Sequence, residues 1–442
     1  MAGQDQRNES AGVGATPLPQ ATPDATLNSA ATPAPVRYLE TDADFAAAMR
    51  RVQQGAHAVA LDTEFMREKT YYAKLCLLQI ASEQEVLLVD TLRVKDYQPL
   101  KELLVNRRIV KVFHAGGQDL EILYQVCGVP VNPYFDTQDA AELAGYSTQV
   151  GYGALVAGEL DVKLKKADSF TDWTRRPLTP AQLSYAADDV IYLLQLYPLL
   201  REKLTEAGRL SWLQEPFRAK TDPAVLDPDT REAYLRVKHV RQLKGQHLAV
   251  AREVAAWREL QARKIDRPRR WVLGDESLIE IARRLPETEV DLEHIRGVNL
   301  RNTSLRRALL FAVSTGANLA PEQWPVLGSG RRPRRDVSAA VDLMSALVRL
   351  RAHEAGIATT LLASRGQLEA LALAVDPGSE FEPGSGPGSG PGACADEESP
   401  LLQGWRRELI GQELLQLLRG NLVMSLDGDR LKVDNTQERR EA

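Results

Sequence analysis

Two carboxylates one residue apart, Asp62 and Glu64, end the run His57-Ala-Val-Ala-Leu-Asp-Thr-Glu. Val59 and Leu61 occupy alternate positions ahead of them, the pattern of a short strand. Strand side chains alternate faces, so residues i and i+2 project together. Both acids therefore point the same way from the end of a buried strand. Two anions held side by side repel, and removing them from water is costly unless a cation lies between them. A divalent metal with oxygen ligands, Mg²⁺ or Mn²⁺, meets that need. An isolated Asp-x-Glu pair is more often a solvated strand end, so the weight falls on what accompanies it.

Two further acidic signals do. In His114-Ala-Gly-Gly-Gln-Asp119 a strand over 109–113 gives way to a helix, which puts Asp119 in that helix's first turn. In Leu183-Ser-Tyr-Ala-Ala-Asp-Asp189, Tyr185 and Asp189 are four residues apart and share one helix face. A phenol and a carboxylate on successive turns are placed to hold a water beside a metal. Asp188 points about 100° away and is a secondary candidate.

The elements that must position these groups follow from the hydrophobic pattern. Strands are expected at 57–62, 75–81 and 86–90, close enough for an antiparallel meander, with a fourth at 109–113. Thr41 or Asp42 caps a helix starting near Phe45, and helices are expected at 97–106, 118–126, 136–144, 152–159 and about 179–207. Strands followed by alternation with helices give an α/β domain with a mixed sheet. From about 225 the pattern is helical only: 246–263, 276–284, 291–295, 303–315, then a second helical unit over 336–425. The organisation expected is a Pro- and Ala-rich tail over 1–36, an α/β domain over 37–220 and a helical domain over 225–318. A basic linker over 319–335, the unit 336–425 with a Gly/Pro/Ser loop at 376–399, and a tail over 426–442 complete it.

Composition narrows the function classes. The 442 residues are 44% hydrophobic and 26% charged, ordinary for a globular protein, with no apolar run of membrane-spanning length. Cys76, Cys127 and Cys394 are too few and scattered for a disulfide framework or a zinc site, and no secretory pattern opens the chain. A reducing, cytoplasmic location is expected. The net charge of −5 is uneven: residues 231–310 hold 18 Lys and Arg against 11 Asp and Glu, a surplus of 7. A basic module on an acidic chain points to a polyanionic partner.

Leu61-Asp-Thr-Glu-Phe65, His114-Ala-Gly-Gly-Gln-Asp119 and Tyr185-Ala-Ala-Asp-Asp189 resemble, in order, the three exonuclease motifs of the DEDD superfamily in its tyrosine-containing branch. Thr70–Ala81, Phe135-Asp-Thr-Gln138 and Asp172-Trp-Thr-Arg-Arg-Pro-Leu178 are similar to ribonuclease D family segments. The resemblance implies an RNase H-like fold and hydrolysis of 3′-terminal phosphodiesters with two divalent ions, Mg²⁺ or Mn²⁺. Asp62, Glu64, Asp119 and Asp189 would be the ligands, and Tyr185 would orient the attacking water. It also implies 3′ trimming of tRNA precursors and other structured RNAs, with release of nucleoside 5′-monophosphates. Phe65, Lys74, His114, Gln118, Trp173 and Arg176 are the substrate-contact candidates, Lys74 standing where the family usually has an arginine.

Trp257 to Ala282 followed by Ile295-Arg-Gly297 resembles an HRDC domain, a helical nucleic-acid-binding module of ribonuclease D and RecQ-type helicases. Within it Arg263, Lys264, Arg267, Arg269 and Arg270 are the candidate phosphate contacts. Ile357–Ala372 with Gly404-Trp-Arg-Arg-Glu-Leu is similar to a second, diverged copy. The competing readings are a 3′–5′ DNA exonuclease and a catalytically inactive RNA-binding scaffold. The absence of a Walker A pattern excludes a helicase. All four carboxylates and Tyr185 are present, which disfavours the scaffold. No protein partner is indicated, and a monomer is expected.

Overall fold

The computed structural model describes residues 34–164, 171–299, 302–327, 335–375 and 399–436. Most of the expected N-terminal tail, the Gly/Pro/Ser loop and the middle of the basic linker lie outside the described residues. The chain divides into two compact units, the first formed by Met1–Asp136, Leu164–Tyr197 and Gln214–Ser329.

A six-stranded mixed sheet is the centre of the first unit, in the order β1-β4-β3-β2-β5-β6. Its strands are β1 (Val36–Leu39), β2 (Ala58–Met66), β3 (Lys74–Ala81), β4 (Val86–Val89), β5 (Val110–Phe113) and β6 (Tyr134–Asp136). β2, β3 and β4 form the expected antiparallel meander, while β1 joins β4, and β5 and β6 extend from β2, all in parallel. β3 from Leu75 onward, β4 and β5 are buried throughout, as runs without polar alternation should be. β1 and β6 were not foreseen. Four and three residues long, with one buried residue in β1, they carry too little pattern to stand out.

Helices α1 (Asp42–Gly55), α2 (Gln98–Val105) and α3 (Gly117–Cys127) belong to the same unit. Thr41 is the cap of α1: its hydroxyl accepts from the Asp44 N–H at 3.1 Å. Helices α4 (Thr137–Leu143), α5 (Tyr152–Leu160), α6 (Pro180–Ile191) and α7 (Leu193–Glu206) follow. The long helix expected over 179–207 is thus two helices broken at Tyr192, and Pro198 within α7 lacks the N–H that would close its turn. A capping box at Thr179, with Gln182 answering, starts α6, which packs across β2, β3 and β4. α8 (Gln214–Thr221) and α9 (Pro223–Leu226) lead to the helical part of this unit: α10 (Gly245–Lys264), α11 (Arg269–Val272), α12 (Asp275–Arg284), α13 (Glu289–Glu293) and α14 (Thr303–Ala317). α10 is its axis, with Val250, Val254 and Ala255 in a core completed by Leu278, Ile281 and Leu309. A Cβ on Gly316 would lie 2.6 Å from the Val250 Cα, so only glycine lets α14 cross α10 this closely.

The second unit comprises Thr137–Lys163, Pro198–Leu213 and Gly330–Ala442. Here α15 (Ser338–Ala355), α16 (Thr359–Leu362) and α17 (Arg365–Ala374) precede a helical run, Gly404–Leu418, interrupted by a π turn over Arg407–Gly411. Trp212 stacks on Trp405, ring centres 4.4 Å apart. This unit is not wholly helical. β7 (Leu422–Asp427) and β8 (Arg430–Asn435) form a hairpin across the expected boundary between the helical unit and the tail. Its two-residue turn, Gly428-Asp429, with Gly428 at φ +59°, is a recognised hairpin signal among charged residues. No helix of the described residues is long and apolar enough to cross a membrane.

Candidate active site

β2 lies between β3 and β5 and carries the acid pair inside the strand rather than at its end: Asp62 is opposite Gln79, and Glu64 opposite Leu77. Asp189 comes from α6. Asp62, Glu64 and Asp189 each offer one carboxylate oxygen, and these oxygens all lie within 4.8 Å of one another. Asp189 Oδ2 is buried and has no hydrogen-bond partner among the described residues. Burial, then the charges of Asp119, Asp189 and Glu64, hold the Asp62 carboxyl well above its ordinary range. Burial, then the charges of Asp189 and Asp119, push Glu64 up to about 8, and burial raises Asp189 to about 7. Converging carboxylates with a buried lone pair left open fit a hard divalent cation, which would remove the repulsion and complete the hydrogen-bond deficit.

Asp119, in the first turn of α3, is 7% exposed, and burial lifts it to about 6. Its oxygens are outside the close trio. Thr63, between the two acids of β2, donates to Asp119 Oδ1 at 2.5 Å and ties α3 to the strand. Tyr185 stands one turn before Asp189, and burial with the surrounding acids pushes the phenol above its usual value of 10. Trp173 lies against it with ring centres 6.3 Å apart. Asp188, beside Asp189 on α6, is half-buried and is not one of the three converging acids.

Several expected substrate contacts have other employment. Trp173 is 6% exposed, so its contact is with the Tyr185 ring. Arg176 was expected to meet substrate from an exposed loop. Its guanidinium instead grips the fully buried Asp90 through Nε at 2.7 Å and Nη2 at 2.8 Å, and donates to the Trp173 and Cys76 carbonyls at 2.9 and 2.8 Å. Cys76 is the extra residue where the β2–β3 register shifts beside Glu64 and Phe65, so Arg176 satisfies a carbonyl released by that bulge. Phe65 is half-buried just past the acid pair, Lys74 is exposed at the head of β3, His114 is half-buried, and Gln118 is exposed on α3.

The basic run divides. Arg269 chelates Glu259 at 2.5 and 2.7 Å, and Arg263 pairs with Asp227 at 2.8 Å while donating to the Tyr71 hydroxyl at 3.1 Å. Neither is the open phosphate contact expected, because each guanidinium is already held by a carboxylate. Arg267 donates to the Lys69 carbonyl at 3.4 Å and lies over the Trp271 ring, 5.7 Å from its centre, and among the described residues Lys264 and Arg270 pair with no carboxylate.

In the sequence Asp136 stands out only as part of the segment Phe135-Asp-Thr-Gln138. Its buried carboxylate accepts from the Ala115 and Gly116 N–H groups at 2.9 and 3.2 Å, the Tyr134 hydroxyl at 2.7 Å and Lys220 Nζ at 2.9 Å. Burial pushes this carboxyl up, and Lys220 with the other donors outweighs it and holds the group below the usual range. The contact fixes the turn ahead of α3, where Ala115 sits at φ +54° and a Cβ on Gly116 would lie 2.7 Å from the Phe113 Cβ. Tyr134 is two residues away, but the partners that make Asp136 a brace for the turn are 20, 21 and 84 residues away, so no local signal reveals it.

A mixed sheet with an acid pair on its central strand, a third acid at a helix head and a Tyr-x3-Asp helix defines a nuclease site of the 3′–5′ exonuclease class. The family model described as 3′-5′ exonuclease matches residues 36–205, and the HRDC domain model matches 247–306. Ribonuclease D of Sphingobium indicum is 37% identical over 388 residues, 86% of this chain and 94% of that protein. Ribonuclease D of Gluconacetobacter diazotrophicus is 38% identical over 411 residues, 92% and 99% of the two chains. The crystal structure of Escherichia coli RNase D, described as an exoribonuclease involved in structured RNA processing, superposes with a TM-score of 0.70 at 29% identity, covering 87% of this chain and 99% of that one. The chain belongs to the ribonuclease D family, and its activity is that of a hydrolytic 3′–5′ exoribonuclease.

Proposed function

We propose that the chain removes nucleotides from RNA 3′ ends with two divalent ions, Mg²⁺ or Mn²⁺, releases nucleoside 5′-monophosphates, and trims tRNA precursors and other structured RNAs in the cytoplasm. The observation that carries this is the convergence of Asp62, Glu64 and Asp189 within 4.8 Å, with Tyr185 one turn from Asp189 on the same helix. Asp62, Glu64 and Asp189 would hold the ions, with Asp119 kept beside them by Thr63. Bound divalent ions supply a lowered pKa for the attacking water and charge neutralisation at the leaving 3′ oxygen. Tyr185 orients the water by hydrogen bonding, and Trp173 limits the swing of its ring. Phe65, next along β2, offers a face for stacking of the terminal base, and Lys74, His114 and Gln118 border the same strand and helix ends. Lys264, Arg267 and Arg270 are the cations left for phosphates farther along the RNA. The names of the curated relatives favour RNA over DNA, and the monomer expected from sequence goes with this reading.

The test is digestion of 3′-end-labelled and 5′-end-labelled single-stranded RNA, beside matched DNA, in Mg²⁺, Mn²⁺ or EDTA. Immediate release of labelled mononucleotide from the 3′ label, stopped by EDTA and faster on RNA, is the expected result. Faster loss from DNA would favour the DNA exonuclease. Binding without cleavage in either metal would favour the inactive scaffold.

A further inference from the structure

The loop between β2 and β3, residues 67–73, begins three residues after Glu64 and is held at its far end by the helical module. Tyr71 donates its hydroxyl to the buried Glu259 of α10 at 2.5 Å. Arg263 and Arg269 donate to the same hydroxyl at 3.1 and 3.2 Å, and their guanidinium carbons lie 5.7 and 4.8 Å from the Tyr71 ring centre. Asp266, in the turn between α10 and α11, accepts from the Tyr71 and Tyr72 backbone N–H groups, each at 3.0 Å. At its near end the loop is tied to the site's own helix, because Arg67 pairs at 2.5 Å with Glu121, two residues beyond Asp119.

These contacts form one chain from the helical module through the loop to both β2 and α3, the elements that carry Asp62, Glu64 and Asp119. A flexible tether would not need a fully buried carboxylate, two arginines over one ring and a side chain capping two loop amides. We propose that the Tyr71 dock makes the first HRDC module a positioning element of the active site: Glu259, Asp266 and Arg269 hold the β2–β3 loop so that the strand end after Glu64 and Phe65 keeps its place toward the RNA 3′ end. This rests on the nuclease reading. It assigns Arg263 and Arg269 to architecture, leaving Lys264, Arg267 and Arg270 for phosphate.

Asp266 is the safest handle because it is exposed and sits at φ +48°, where glycine and asparagine are tolerated. Asp266→Gly removes the acceptor without straining the turn, and Asp266→Asn retains an acceptor oxygen. In the full chain, hydrogen exchange at Tyr71 and Tyr72 should speed up in Asp266→Gly and be restored in Asp266→Asn. On a short oligoribonucleotide kcat should fall about tenfold with KM unchanged, since small misplacements in a site have such effects, and Asp266→Asn should recover it. Tyr71→Phe, which keeps the ring and loses the hydroxyl, should shift kcat in the same direction. Faster exchange with kcat unchanged would overturn the proposal, as would a rise in KM alone, which would make these residues RNA contacts. Equal exchange in parent and Asp266→Gly would show that no dock exists. Failure of the parent chain to cleave any RNA would defeat the nuclease reading instead, and the exchange comparison would still report on the dock.

Discussion

Replacing Arg176 by methionine separates an architectural arginine from a substrate-binding one. The change keeps an unbranched apolar stem and removes the guanidinium. Asp90, whose side chain is fully buried, would lose charge-assisted bonds of 2.7 and 2.8 Å while keeping the Tyr38 hydroxyl at 2.8 Å and the Leu92 N–H at 3.0 Å. Removing one partner of a buried pair costs about 3–5 kcal/mol. Two surviving donors and the Arg93 guanidinium, 3.8 Å away, put this case at the low end, about 3 kcal/mol. At about 2–4 °C per kcal/mol for a domain of this size, the melting temperature of the first unit should drop by roughly 6–12 °C. The loss depends on pH. Burial pushes the Asp90 carboxyl up, but Arg176, Tyr38 and Leu92 prevail and lower it. A depressed folded value gives stability that is full above the unfolded value of about 4 and disappears as pH falls through the lower folded value. The gap between parent and variant is therefore widest near neutral pH and narrows in acid. Asp90→Asn combined with Arg176→Met should melt higher than Arg176→Met alone, since no unpaired buried charge remains. Thermal melts at several pH values with steady-state kinetics read all of this. A variant that melts with the parent and shows only a raised KM would refute the reasoning and return Arg176 to the substrate.

Asp136→Asn, which weakens the grip on Lys220 and the Ala115–Gly116 turn, should lower kcat roughly tenfold or more with little change in KM. Single-turnover cleavage checks it, and an unchanged rate would free α3 from dependence on this carboxylate. Changing Lys264, Arg267 and Arg270 together to glutamine should flatten the salt dependence of RNA binding by about 2 in slope, at about 0.7 per phosphate contact on a single strand. An unchanged slope would remove this stretch from the RNA path. Arg269→Gln should instead lower the melting temperature, as it leaves Glu259, which is 0% exposed, without its chelating partner.

The parts legible in the sequence were those encoded over short spans. Val59 and Leu61 ahead of Asp62 and Glu64 mark a strand by alternation, and Tyr185 with Asp189 marks a helix face by a spacing of four. The meander β2–β3–β4 follows from three apolar runs in quick succession. What escaped depends on partners far away in the chain. Arg176 reads as an exposed loop residue because Asp90 is 86 positions distant, and Asp136 reads as a flank because its turn and Lys220 are not adjacent. The basic run from Arg263 to Arg270 reads as one electrostatic surface, although Tyr71, Asp227 and Glu259 claim two of its members. The β7–β8 hairpin is a different kind of miss. Gly428-Asp429 is a usable turn signal, but Asp427, Arg430 and Lys432 around it gave the segment the composition of a solvated tail.

The account stands on Asp62, Glu64 and Asp189 acting together on a 3′-terminal phosphodiester. Comparing parent and Asp62→Asn for release of the 3′ nucleotide in Mg²⁺, with RNA binding measured on the same preparations, tests it most directly. Cleavage by the variant should be abolished while its RNA affinity largely survives. Wild-type rates in Asp62→Asn would contradict it and remove this carboxylate cluster from the chemistry.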